Sequence, residues 1–331
     1  SSAREVIMKA ILAHEFGGPE VLKYEDVDDP TAAPGEVVID IKATGINPAD
    51  TYMRGGAYAI VPPLPYTPGG DAAGVISAVG DGVSEFAVGD AVFVGVAMGF
   101  DMTGCYAEKV TRAVKDVLPL PKGVSFAQAA ALGVPYATAH YGLFARGGAK
   151  AGETVFVHGA SGSVGTAAIQ LAKRAGMTAI GSAGTEGGLA LVREQGADHV
   201  VDHTTDGYIE QVREMNGGNG PDLILEMLAN VNLAADLELV AKYGRIIIIG
   251  NRGEITINPR MTMMKELDVR GLALFNGSAS QMTEIMTDLV AGLEDGSLNP
   301  IVGREMPLAD AAAGHVAVLE PGAHGKIVLI P

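Results

Sequence analysis

Cysteine is almost missing from this chain: Cys105 is the only one in 331 residues. A single thiol excludes an intrachain disulfide and a thiolate zinc cluster. Its setting, beside a glycine in "TGCYAE" with no activating base in view, reads as a small packing residue rather than a nucleophile. Long apolar runs are missing too. None reaches the ~18–20 residues of a membrane helix, and the opening "SSAREVIMKA" has too little apolar length for a secretory leader. The expectation is a cytoplasmic chain that does not enter membranes, with Met8 as a start. Positive charge is scarce: 23 Lys and Arg face 39 Asp and Glu, a formal charge of −16. That balance repels phosphate backbones and anionic lipid surfaces, so nucleic acid is disfavoured as a partner. What is present, 48% hydrophobic and 19% charged residues, is the composition of a folded protein with room for two cores.

Two textures follow one another. From Met8 to about Leu120, short β-like runs ("VVIDIKATGI", "AAGVISAVG", "DAVFVGV", "YAEKVTRAV") are broken by turn-rich pieces such as "NPAD" and "VPPLPYTPGGD". From about Phe126 to Asp268, the runs "TVFVH", "MTAIGSA", "HVVDH", "PDLILEM" and "GRIIIIG" alternate with helical stretches. Runs apolar on both faces suit strands covered by helices on each side, hence an α/β fold with a doubly wound parallel sheet. The last part adds a helix, "QMTEIMTDLVAGLEDG", and a closing strand, "GKIVLI", too little for a third domain. The expected division is a β-rich domain of residues 1–126 with 271–331 and a parallel-sheet domain of residues 127–270. "MTMMKE" reads as a packing helix.

"TVFVHGASGSVGTAAIQLAKRAG" leads from a strand through Gly159, Gly162 and Gly165 into an amphipathic helix. Glycines there tolerate positive φ and let backbone N–H groups approach an anion at the positive end of the helix. The natural occupant is a dinucleotide pyrophosphate on the amides of Ser161, Gly162, Ser163 and Val164. An NAD site would carry an acid at the end of the second strand; the matching positions here include Ser182 and Gly184, with no carboxylate. NADPH is therefore the expected cofactor, although no Arg or Lys is in place for its 2′-phosphate. His203, after the third strand, is a candidate beside the adenosine phosphate, and a solvated surface histidine is the alternative. Gly250 and Asn251 end the fifth strand at the carboxyl edge, where open α/β sheets bind ligands.

"EFGGPEVLKYE", "TGINPADTYMRGGAY", "LPYTPGGDAAGVISAVGDGV", "VPYATAHYGL", "VHGASGSVG" and "EMLANVNLAADLELVAKYGRIIIIGNRGEITINPR" together resemble the zeta-crystallin-like NADPH:quinone oxidoreductases, a zinc-free branch of the medium-chain dehydrogenase/reductase superfamily. The resemblance covers nearly the whole chain. It implies a GroES-like catalytic domain, a Rossmann domain, a cofactor and acceptor in the cleft between them, and a homodimer or homotetramer. Zinc-dependent relatives place a cysteine after "TG" and a histidine after "PG"; this chain has Asn47 and Pro48, and Gly70. The enzyme is thus expected to be metal-free, and its acceptor must already delocalise negative charge, as a quinone or a conjugated enone does.

By the same resemblance, Asn47, Tyr52 and Tyr58 lie in the active-site loop. Asn47 and Tyr52 are expected to donate to the cofactor ribose or the acceptor oxygen, and Tyr58 to line the acceptor site, with ordinary packing the alternative for both tyrosines. Thr138 is a polar cofactor contact, Leu274 and Phe275 end the sixth strand close to the nicotinamide, and Lys326 is a candidate for phosphate or ribose. Three readings follow: a quinone reductase, transferring a hydride or single electrons; an enone double-bond reductase; and a non-catalytic crystallin or RNA-binding role, against which the acidic balance and intact glycine turn argue. The apolar edge strand "DVRGLALF" suits pairing across a dimer.

Overall fold

The computed structural model describes residues 7–96 and 103–331. The first residues of "SSAREVIMKA", read above for a leader, lie outside the described residues. The chain divides into two compact units, Ser1–Val134 with Pro300–Glu320 and Lys326–Pro331, and Pro135–Asn299 with Pro321–Gly325. The first boundary thus falls after residue 134 rather than 126, and residues 271–299 belong with the second unit instead of the first. Hydrogen bonds hold them there: the Gln170 amide bonds the Asn299 backbone, and Asp288 accepts from His140 and Arg174.

The first unit is β-rich. It opens with the hairpin of β1 (Ile7–Ala13) and β2 (Leu22–Asp28), followed by β3 (Glu36–Gly45), α1 (Pro48–Arg54), β4 (Asp71–Val79), β5 (Ala91–Val94), β6 (Lys109–Ala113), β7 (Val117–Pro119) and α2 (Phe126–Ala130). The long strand β3 organises the sheet by pairing antiparallel with both β4 and β6. Its Val37, Ile39 and Ile41 pack with Ile76, Val92 and Val110 into one core. β-branched side chains fill such a pleated, buried surface well.

In the second unit, α3 (Gly133–His140), which begins at the division, precedes β8 (Thr154–Val157), α4 (Ser163–Arg174), β9 (Thr178–Ala183), α5 (Glu186–Glu194), β10 (His199–Asp202), α6 (Tyr208–Glu214), β11 (Leu223–Glu226), α7 (Ala229–Leu239), β12 (Arg245–Ile248), α8 (Arg260–Lys265), β13 (Asp268–Gly271) and α9 (Ala279–Asp295). Among the described residues the strands form one parallel sheet in the order β10-β9-β8-β11-β12-β13. This is the doubly wound arrangement, with its switch point between β8 and β11. Phe156, Ile180, Ile224 and Ile246 from four neighbouring strands share a core with Leu233 and Leu237 of α7. The α9 helix is bounded as its sequence dictates, with the Ser278 hydroxyl accepting from the Gln281 N–H at one end and Gly296 at positive φ at the other. The chain then returns to the first unit with β14 (Val302–Pro307), α10 (Ala311–Ala317) and β15 (Lys326–Ile330), which pairs with β3.

Two expectations fail here. β13 stops at Gly271, and Leu274–Asn276 form a separate turn of helix, so Leu274 and Phe275 do not end the sixth strand. α8 is not a packing helix throughout: Met261 packs on the core, but Met263 and Met264 are 66% and 69% exposed.

Candidate functional site

In the second unit the glycine turn has the conformation its sequence requires. Gly159 sits at φ +56, and the Gly162 N–H donates to the Gly159 carbonyl at 3.2 Å, closing the turn. A Cβ on Gly165 would lie 2.5 Å from Ala160 Cα, so a side chain there would push α4 off β8. The Gly162 amide is thereby turned inward. Ser163, Val164 and Gly165, the first three residues of α4, have N–H groups with no acceptor within the helix and stand at its positive end. The Ser161 carbonyl accepts from the Gly325 N–H at 2.7 Å, which fastens the turn from outside.

Ser182 was expected at the cofactor but is fully buried, because its hydroxyl is needed by the turn: it accepts from the Gly159 N–H at 3.0 Å. The same hydroxyl lies 3.2 Å from His203 Nδ1, which ties the imidazole to the turn. Burial and the neighbouring His158 push the His203 pKa down, so the ring is neutral at pH 7. Its Nε2 edge stands over Gly184, where a Cβ would come within 2.8 Å. The segment from His203 to Ile209 lines a surface depression of about 300 Å³. The nearest carboxylate at a strand end, Asp202, is already engaged by the Thr204 N–H and hydroxyl.

Directly beneath the turn lies a cluster that sequence reasoning missed. His158, Glu226 and Asp236 are all buried, with ligand-type atoms within 4.8 Å of one another. His158 Nε2 is 2.6 Å from Asp236 Oδ1 and 3.2 Å from Glu226 Oε2, while Glu226 Oε1 accepts from the Leu228 N–H and the Asn232 amide. Desolvation raises Glu226 to about 8 and Asp236 to about 7. At neutral pH a proton shared by the two carboxyls supplies the bond that Glu226 Oε2 and Asp236 Oδ2 otherwise lack. Such protonated oxygens are poor partners for a metal.

In the first unit, Asn47 stands at the head of α1. Its amide nitrogen donates to Asp71 Oδ2 at 2.8 Å, and its amide oxygen accepts from the Lys326 ammonium, which lies 3.5 Å from the same Asp71 oxygen. Both charged groups are 1% exposed. Only one orientation of the amide satisfies an ammonium and a carboxylate together, so the pair fixes Asn47. Lys326, expected at a phosphate or ribose, is instead committed to Asn47 and Asp71. Burial lowers its pKa, while Asp71 and Asp50 oppose that effect. Gly70 offers no side chain beside this group, and an amide, a carboxylate and a lysine do not make a zinc site. Tyr52 and Tyr58 are both half-buried, with ring centroids 6.1 Å apart. Desolvation holds the Tyr58 hydroxyl above its ordinary pKa.

The remaining candidates scatter across the second unit. Thr138 is buried within α3. Gly250 is required by the close approach of the Met227 carbonyl, 2.2 Å from where its Cβ would be; Asn251 is exposed with its amide on the Gly253 carbonyl; Phe275 is half-buried.

A doubly wound sheet with a glycine turn at its first strand, joined to a β-rich unit, defines a nucleotide-dependent oxidoreductase of the medium-chain dehydrogenase/reductase superfamily. Residues 33–122 match the alcohol dehydrogenase GroES-like domain and residues 163–292 the zinc-binding dehydrogenase family. The chain is 45% identical over 326 residues to a quinone oxidoreductase of Rattus norvegicus, covering 98% of each. Among solved structures it is similar to an NAD-dependent alcohol dehydrogenase (TM-score 0.90, 31% identity, 98% of this chain and 100% of that one). It is also similar to the quinone oxidoreductase of Escherichia coli complexed with NADPH (TM-score 0.85, 29% identity, 98% and 100% covered). The chain belongs to the quinone oxidoreductase family.

Proposed function

We propose that this chain is an NADPH-dependent, metal-free reductase of quinones. The observation that carries the acceptor class is the Asn47 setting: an amide oriented by Asp71 and Lys326 stands where zinc-dependent relatives have a cysteine ligand. An amide can donate a hydrogen bond to a developing oxyanion but cannot polarise an alcohol as a Lewis acid would. The acceptor must therefore stabilise most of the incoming charge itself, as a quinone does. Bound NADPH supplies the hydride.

The chain's own residues bind and orient. The Ser163 and Val164 N–H groups take the pyrophosphate, with Gly159, Ser161, Gly162 and Gly165 shaping the turn. His203, neutral, presents its Nε2 edge on the adenosine side beside Gly184, where no carboxylate repels a 2′-phosphate. The Asn47 amide and the Tyr52 hydroxyl donate to ribose or acceptor oxygen, and Tyr58 lines the acceptor site. Thr138, Gly250, Asn251 and Phe275 serve the nicotinamide side, and Lys326 acts through Asn47. The exposed edge of β13, with Val269 and the nearby Met263 and Met264, suits self-association, so we infer a homodimer or homotetramer in the cytoplasm; a monomeric mass in solution would oppose the first point. No described helix is long and apolar enough to cross a membrane.

The experiment is a set of parallel progress curves with NADPH and either benzoquinone or a simple enone. Turnover of the quinone supports the reading. Turnover of the enone alone transfers it to double-bond reduction.

A further inference from the structure

The inner face of α1 is held by a buried chain of hydrogen bonds that leaves the helix at one residue and returns to it one turn later. Asp50 Oδ2 accepts from the Asn47 backbone N–H at 2.8 Å and from the Tyr106 hydroxyl at 3.0 Å. The Tyr106 oxygen lies 3.1 Å from His315 Nε2 on α10, and His315 Nδ1 lies 3.0 Å from Arg54 Nη1, at the last residue of α1. Arg54 is anchored in turn on the Gly17 carbonyl. Tyr106 and His315 are 0% exposed, and their rings meet edge to face.

The direction of every bond is fixed by the end that cannot accept. A guanidinium only donates, so His315 Nδ1 is an acceptor and the imidazole hydrogen sits on Nε2. That hydrogen goes to the Tyr106 oxygen, whose own hydrogen goes to Asp50. Burial, then Arg54, pushes His315 down to about 3, which keeps the ring neutral as this arrangement requires. Since Arg54 does not release a proton, the chain is not a conduit to solvent. It is a clamp.

Residues 50 and 54 lie one turn apart on the same face of α1, so bonds to both set the rotation of the helix about its axis. Tyr52 lies about 200° around from Asp50, on the opposite face, and Asn47 is tied to Asp50 by its backbone. A rotation of α1 that re-aimed either would break the clamp. We propose that His315 and Tyr106 are positioning residues for quinone reduction: with Arg54 and Asp50 they lock α1 and thereby aim the Asn47 amide and the Tyr52 hydroxyl. This rests on the function proposed above.

The clamp also has a pH signature. Desolvation raises Asp50 to about 6; the Asn47 N–H, Lys326 on β15 and the Tyr106 hydroxyl lower it, and Asp71 on β4 raises it. Tyr58 and Tyr66 feel the same carboxylate. Removing the Tyr106 donor should move the acid limb of turnover upward in pH.

The test compares Tyr106→Phe, His315→Ala and His315→Gln with the unmodified chain, measuring kcat and KM for benzoquinone, NADPH affinity and the acid limb. A glutamine can accept from Arg54 and donate to Tyr106. The expected result is a kcat at least about tenfold lower for Tyr106→Phe and His315→Ala, NADPH affinity within about twofold, and most activity kept by His315→Gln. Tyr106→Phe should also show the raised acid limb. If His315→Ala does not fold, Tyr106→Phe and His315→Gln carry the comparison. Unchanged kcat and acid limb in Tyr106→Phe, with only a lower melting temperature, would overturn the proposal. Failure of the unmodified chain on quinone alone would remove the acceptor assignment, while the same ratios on the enone still decide positioning; no turnover of either would overturn both.

Discussion

Glu226→Gln removes one carboxyl from the buried cluster beneath the glycine turn, and its consequence can be worked from the burial of that group. Glu226 and Asp236 are both 0% exposed, and desolvation is the main cause of their raised pKa values. Because the folded state favours the protonated acid, Glu226 contributes full stability below its unfolded value of 4.5 and loses it as pH rises through about 8. Between about pH 6 and pH 9 the loss is roughly 2–3 kcal/mol, which for a chain of this size lowers the melting temperature by roughly 3–4 °C. Glutamine keeps an oxygen for the Leu228 N–H and Asn232 but has nothing to ionise. Differential scanning calorimetry of both proteins without cofactor across that range should show the variant losing less than half of what the unmodified chain loses. Burial lowers the His158 pKa and the Glu226 carboxylate opposes that, so the variant moves His158 further from its charged form. Parallel melting curves would refute the reasoning, since they would mean that the carboxyl ionises inside the fold at no cost.

Three further outcomes are expected. Gly165→Ala places a methyl against the Ala160 backbone and should cost about 1–3 kcal/mol in thermal unfolding while weakening NADPH binding at least about tenfold; unchanged affinity would detach the turn from the cofactor. Gly184→Asp restores an acid at the end of the second strand and should shift the NADPH to NADH preference towards NADH by about tenfold or more in steady-state rates, the His203 ring yielding to the new side chain. Lys326→Met leaves Asp71 buried without its cation and should destabilise the fold by about 3–5 kcal/mol in denaturant titration. Stability near that of the unmodified chain would show that Asn47 and the Val134 N–H satisfy Asp71 unaided.

The sequence made legible what is local. The glycine turn, the five runs that became β8 to β12 and the helical stretch that became α9 are each specified by residues a few positions apart, so period and turn chemistry suffice. The hydrogen-bonded clusters were not legible, because their partners meet only in the folded chain: Lys326 reaches Asn47 across 279 positions and His315 reaches Arg54 across 261. No spacing rule joins them. Ser182 illustrates the same limit, since its position at a strand end suggests a ligand contact, while only the structure shows its hydroxyl spent on the Gly159 N–H. The division of the chain was misplaced for a related reason: α9 reads as an amphipathic helix that could cover either core, and the bonds from Gln170 to Asn299 and from His140 and Arg174 to Asp288 decide which. In "MTMMKE", methionine identity alone does not distinguish a packed face from an exposed one.

The most direct test of the account is the rate of NADPH oxidation, against NADH, with phenanthrenequinone as acceptor, before and after dialysis against a strong chelator. Quinone-dependent oxidation, preference for NADPH and an unchanged rate after chelation are expected. A rate abolished by chelation and restored by zinc would contradict this, as would NADPH binding with no quinone turnover at all.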